Sequence, residues 1–163
     1  MTTHILVVND TQEILELFQA ILEEEAGYQV TLTSIKPQML EMVKEIKPDL
    51  IISDHVFGEE KVGWQFIQRL KMDRETANIP IIVCSGAVKE LREMEGYLMS
   101  KDIGVLYKPF DVDELIQLVD TKIRLEDKDV MYRSNDQEID RDPEEQTPAG
   151  TWSEAHNMER KEA

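Results

Sequence analysis

The chain is short of cysteine, of basic residues and of long apolar runs, and each shortage excludes something. Cys84 is the single cysteine, which rules out an internal disulfide and any metal site built from several thiolates. No stretch approaches the roughly 20 consecutive apolar residues that a membrane-spanning helix needs. The N-terminal MTTHILVV lacks the basic-then-apolar order of a secretion signal, so a cytoplasmic protein with no membrane contact is expected. The 18 basic residues face 34 acidic ones, for a net charge of −16. Residues 1–128 hold 24 acids against 14 bases, and residues 129–163 hold 10 against 4. Such a field repels phosphate backbones, and no basic recognition helix is present. No nucleic-acid partner is expected, and proteins are expected instead. A length of 163 residues with 41% hydrophobic content suffices for one domain with a full core.

What is present is an alternation of two hydrophobic periods. Short, largely apolar runs at 4–9, 28–34, 49–53, 79–85 and 103–107 read as strands. Between them, apolar residues recur at helical spacing over 11–27, 36–48, 63–73 and 111–126, and more weakly over 88–100, which contains Gly96. Gly27 is placed to stop the first helix, Pro37 to start the second and Asp111 to cap the last. The expectation is an α/β fold with a doubly wound five-stranded parallel sheet and helices on both faces. Residues 1–128 form this domain. Residues 129–163 have few large apolar residues and high charge density, and are expected to be a disordered acidic tail with Trp152 exposed. At 35 residues this tail is too short for a winged-helix or helix-turn-helix output domain.

In such sheets ligands collect beyond the carboxyl ends of the strands. The first strand ends in Asn9-Asp10, the third in Asp54, the fourth in Ser85 and the fifth in Lys108-Pro109. If the first and third strands are neighbours, Asp10 and Asp54 stand a few ångströms apart. At about 4 Å and an effective dielectric near 20 they would repel by roughly 4 kcal/mol. A hard cation such as Mg²⁺, which keeps several waters and takes one or two carboxylates, would offset this. Lys108 offers a mobile positive charge for an anionic oxygen, and Ser85 a hydroxyl. Together they describe phosphoryl transfer to an aspartate.

ILVVND at 5–10, PDLIISD at 48–54, IIVCSG at 81–86 and YKPF at 107–110 occur in order and at fitting intervals. On these motifs the chain, over residues 3–126, resembles the receiver domain of two-component response regulators. The resemblance implies a flavodoxin-like sheet of order 2-1-3-4-5. It implies that Asp54 accepts a phosphoryl group from a sensor histidine kinase or phosphotransfer protein. Mg²⁺ would be bound by Asp10, Asp54 and the backbone carbonyl of Val56. Lys108 would contact the phosphoryl group and Ser85 would move toward it as the switch. Output would pass to a downstream protein, with homodimerisation on phosphorylation as one route. No catalysis is implied beyond phosphorylation and dephosphorylation of the domain itself.

Several positions depart from the family pattern. Asn9 stands where an acid is usual; it can still accept from a metal-bound water, but with one negative charge fewer. Val105 stands at the usual switch aromatic, while Tyr107 shares its strand parity. Val56 and Ala87 cannot orient an attacking water, which points to a long-lived phosphoaspartate. The loop 55–63 is one residue longer than usual before Gly63. Asn9 and Val105 keep open a phosphorylation-independent interaction module of the same fold. A flavin or nucleotide enzyme finds no glycine-rich loop in VVNDTQEI, and Val56 breaks an Asp-x-Asp phosphatase motif. His55 is expected on an exposed loop, Cys84 in the core, Trp64 packed at its helix start and Glu23–Glu25 on a solvated face.

Overall fold

The computed structural model describes residues 2–54 and 62–139, with Asp54 and residues 126–139 described by backbone alone. Strands β1 (His4–Val8), β2 (Gln29–Thr33), β3 (Leu50–Asp54), β4 (Ile81–Ser85) and β5 (Ile103–Tyr107) pair in parallel. Their order in the sheet is β2-β1-β3-β4-β5. The helices are α1 (Gln12–Gln19), α2 (Met39–Ile46), α3 (Val62–Met72), α4 (Val88–Glu93), α5 (Glu95–Ser100) and α6 (Val112–Ile139). The chain divides into two units at Asp127; the sheet and the sites considered below belong to the first. Among the described residues no helix is long and apolar enough to cross a membrane.

The period-two alternation of each strand divides the core between the two faces of the sheet. On one face Leu6, Val8, Ile51, Ile81 and Val83 pack with Val43 of α2, Phe66 and Leu70 of α3, Leu91 of α4 and Leu98 of α5. On the other, Ile5, Val7, Leu50, Ile52, Ile82 and Cys84 pack with Leu15 and Phe18 of α1 and Leu115 and Val119 of α6. Strands β1, β3 and β4 are therefore covered on both sides, which is why they read as unbroken apolar runs. Each such side chain, fully buried, contributes about 1.5–3 kcal/mol. Cys84 is fully buried, as its place in the β4 run predicts.

Three helical segments differ from the expected pattern. The first helix is α-helical only to Gln19 and continues as a π-helical turn over Ala20–Glu25. Gly27, at φ +75°, ends it, donating to Glu23 O at 3.1 Å. The wider turn brings Glu23 onto the sheet: its carboxylate accepts from Val30 N at 3.3 Å and from Gln19 Nε2 at 3.1 Å. Only Glu24 and Glu25 of the acidic run form an exposed face. The expected helix over 88–100 is two helices broken at Met94, not at Gly96. Met94 N is shared between Glu90 O and Leu91 O, both at 3.2 Å. The last helix runs on to Ile139 rather than ending at Glu126. The backbone of 129–139, expected to lack structure, is helical; residues 140–163, with Trp152, lie outside the described residues.

Candidate functional site

Register sets the height of every residue at the carboxyl edge. Val8 pairs with Ser53, Asp54 with Cys84, and Ser85 with Tyr107. Asn9 therefore lies one residue beyond the last β1–β3 pair, level with Asp54. Asp10 and Lys108 are the next steps beyond their strands. Because β1, β3, β4 and β5 are consecutive in the sheet, the backbones of Asp10, Asp54, Ser85 and Lys108 gather at one edge.

Asn9 is buried and its backbone N donates to Thr33 O at 3.0 Å. Its Oδ1 accepts from Thr11 N at 2.6 Å, so the side chain turns the chain from β1 into α1. Thr11 itself makes no side-chain cap. Asp10 is exposed, and one carboxylate oxygen accepts from Ile35 N at 3.3 Å. That bond ties the end of β1 to the β2–α2 connection. Ser85 is buried, its Oγ accepting from Ala87 N at 3.1 Å, and its carbonyl accepts from Lys108 N at 3.0 Å. The second bond joins the ends of β4 and β5 and sets Lys108 beside Ser85. Lys108 is half-buried, and the bond to Pro109 is cis.

Val105 and Tyr107 are both half-buried and pack against the same cluster as Leu91 and Leu98. The strand parity that links them holds. Trp64 packs at the start of α3, edge-on to Tyr97 of α5 with ring centroids 5.4 Å apart. Val56, His55 and the rest of 55–61 lie outside the described residues, as does the Asp54 side chain.

One feature beside the site carries no signal in the sequence. Ser53, next to Asp54, is fully buried, and its Oγ has no hydrogen-bond partner among the described residues. In the sequence it is merely a small residue closing an apolar run. At the far end of β5, Lys122 is buried and donates to Asp102 O at 2.9 Å and Asp102 Oδ1 at 2.8 Å.

No three His, Cys, Asp or Glu side chains among the described residues cluster tightly enough to hold a metal by themselves. Asp10 is a hard, exposed oxygen donor with one weak backbone contact. As a donor type it suits a cation that retains much of its water. Asn9 Oδ1 is engaged in its turn, and Asn9 is buried.

The response regulator receiver domain model matches residues 5–120. The chain belongs to the response regulator receiver domain family. This receiver is 30% identical over 115 residues to the response regulator Rre1 of Synechocystis, covering 71% of this chain and 49% of that protein. It is likewise 30% identical over 119 residues to sporulation initiation phosphotransferase F of Bacillus subtilis, covering 71% of this chain and 89% of that protein. The chain spans about half the length of the first curated relatives that it matches. Among solved structures, a sensor protein from Polaromonas sp. JS666 superposes with a TM-score of 0.66 at 25% identity, covering 76% of this chain and 98% of that one. The chemotaxis response regulator CheY4 of Vibrio cholerae superposes at 0.62 and 24% identity, covering 74% and 98%. The flavodoxin-like sheet of order 2-1-3-4-5 is thus shared with known receivers.

Proposed function

We propose that this receiver accepts a phosphoryl group on Asp54 from a histidine kinase or phosphotransfer protein. Its output is contact with a downstream protein. The observation that carries the reading is the gathering of Asp10, Asp54, Ser85 and Lys108 at the ends of four consecutive strands. The likeness to a sporulation phosphotransferase over most of that protein's length supports it.

A carboxylate oxygen of Asp54 attacks phosphorus, the bond to the donor's imidazole breaks, and the imidazole leaves with the electron pair. Lys108, fixed beside Ser85, neutralises a phosphoryl oxygen. Ser85 Oγ gives up its bond from Ala87 N and donates to another. Asp10, Asp54 and the Val56 carbonyl would hold Mg²⁺, which screens the two carboxylates and the phosphoryl oxygens. Asn9 acts on that ion through water at most, so Asn9→Asp is expected to tighten Mg²⁺ binding. Equal affinities in a Mg²⁺ titration would remove this role. With Val56 and Ala87 unable to orient water, the phosphoaspartate is long-lived; loss within seconds in purified protein would count against that. Tyr107 takes the place of the aromatic missing at Val105, and phosphorylation favours a homodimer as one form of output.

The deciding experiment is mass spectrometry after incubation with acetyl phosphate and Mg²⁺. Wild type should gain one phosphoryl group and Asp54→Ala none. A second reading, an interaction module that no longer uses phosphate, draws on Asn9 serving as a turn residue. No gain by wild type would establish it.

A further inference from the structure

A cleft lies on the α2–α3 side of the sheet. Its walls are Ile35 and Pro37 of the β2–α2 connection, Leu40 of α2 and Phe66 of α3, and Lys36 and Arg69 also line it. Its volume is about 190 Å³. A cavity of about 150 Å³ with similar walls holds one benzene ring, so there is room here for one ring and a short chain. Phe66 is 5% exposed and forms part of the core, so the inner wall of the cleft is made by the core itself.

The charge at this cleft runs against the rest of the chain. In a protein of net charge −16, both ionisable side chains lining the cleft among the described residues are cations. Both are exposed. Neither makes an ion pair or side-chain hydrogen bond among the described residues, although Lys44 and Lys122 do. Two cations without a partner among the described residues, beside an apolar hole, complement a ligand with an apolar body and an anionic head.

We propose that this cleft binds a small amphipathic carboxylate: one ring or branched chain seated between Leu40 and Phe66, with its carboxylate held by Lys36 and Arg69. The donor fork of Arg69 fits a planar carboxylate, and Lys36 adds a mobile point charge.

The test is an amide NMR titration of the full chain with 3-phenylpropionate and with its neutral amide. The acid should cause saturable shifts centred on Ile35, Leu40 and Phe66, in the low-millimolar range on the order of what about eleven non-hydrogen atoms reach. Lys36→Gln and Arg69→Gln, both at exposed positions, should each weaken the acid about fivefold and leave the amide unchanged. Equal binding of acid and amide, shifts scattered over the surface, or no saturation by about 10 mM would each overturn the proposal. So would saturation by an acetylated Phe-Glu peptide without saturation by the acid, which would make the cleft a docking site for a partner protein.

Discussion

At the scale of single residues, the polar atoms in the core carry the least expected consequences. Ser53 is fully buried with its hydroxyl unpaired among the described residues, and leaving such a group unsatisfied costs about 1–3 kcal/mol. Ser53→Ala is therefore expected to be neutral or to stabilise by up to about 1 kcal/mol, the reverse of an ordinary core truncation. Chemical denaturation checks this, and a loss above about 1 kcal/mol would mean that the hydroxyl is satisfied by a buried water. Gly104 makes the opposite case. A Cβ there would stand 2.9 Å from Lys122 Cε and 3.3 Å from Ile82 Cγ1, against a lysine held by Asp102 and an isoleucine in the core. Gly104→Ala should destabilise by about 1–3 kcal/mol. Tyr28 gives a pH signature. Burial first, then its hydrogen bond to Asp120, raises its pKa from 10.0 to about 12. The neutral phenol is the form that the fold favours, so its contribution is complete below pH 10 and lost as pH rises toward about 12. Thermal melts of wild type should fall more steeply over that window than those of Tyr28→Phe; parallel curves would refute the assignment.

At the scale of elements, the sequence is most legible where one period rules. Leu50–Ile52 and Ile81–Val83 are buried on both sheet faces, so their unbroken apolar runs identify them as central strands without ambiguity. Asp10, Ser85 and Lys108 are legible for the same reason: a polar residue directly after such a run has only the strand end to occupy. Asp111 also lies just before its helix, where its backbone N donates to Glu114 Oε2 at 3.0 Å, half of a capping box. What was not legible depends on contacts between elements. Nothing in AILEEE distinguishes a π turn from an α turn. The turn becomes explicable only once β2 lies at the sheet edge. Gln29 N donates to Thr3 O on the β1 side, so Val30 N faces outward, and Glu23 covers it. The same holds for the break at Met94 and for the Lys36–Arg69 cleft, whose residues come from two separate segments. If Glu23 shields the edge, Glu23→Ala should speed hydrogen exchange at Val30 by several-fold while leaving β4 amides unchanged. Equal protection at Val30 in both proteins would show that the bond is incidental.

At the scale of the whole molecule, a net charge of −16 sets self-repulsion against the folded state. The ion pairs found among the described residues offset little of it. Lys44 bridges Asp73 at 2.7 Å and Glu75 at 3.5 Å, and Lys122 meets Asp102 at 2.8 Å. Each has an exposed or part-exposed acid, and such pairs contribute only about 0–1 kcal/mol. Raising salt from 10 to 150 mM shortens the screening length from about 30 to about 8 Å. It weakens those few pairs slightly, but it weakens the summed repulsion among 34 acids far more. The melting temperature should therefore rise with NaCl, by about 2–4 °C for each kcal/mol of relieved repulsion. Mg²⁺ separates screening from binding. At equal ionic strength, Mg²⁺ at ten times its dissociation constant should add about 1.4 kcal/mol through linkage alone, and Asp10→Asn should abolish that excess while keeping the NaCl response. If the variant retains the Mg²⁺ excess, the ion acts on the diffuse charge and not at the carboxyl edge of β1 and β3.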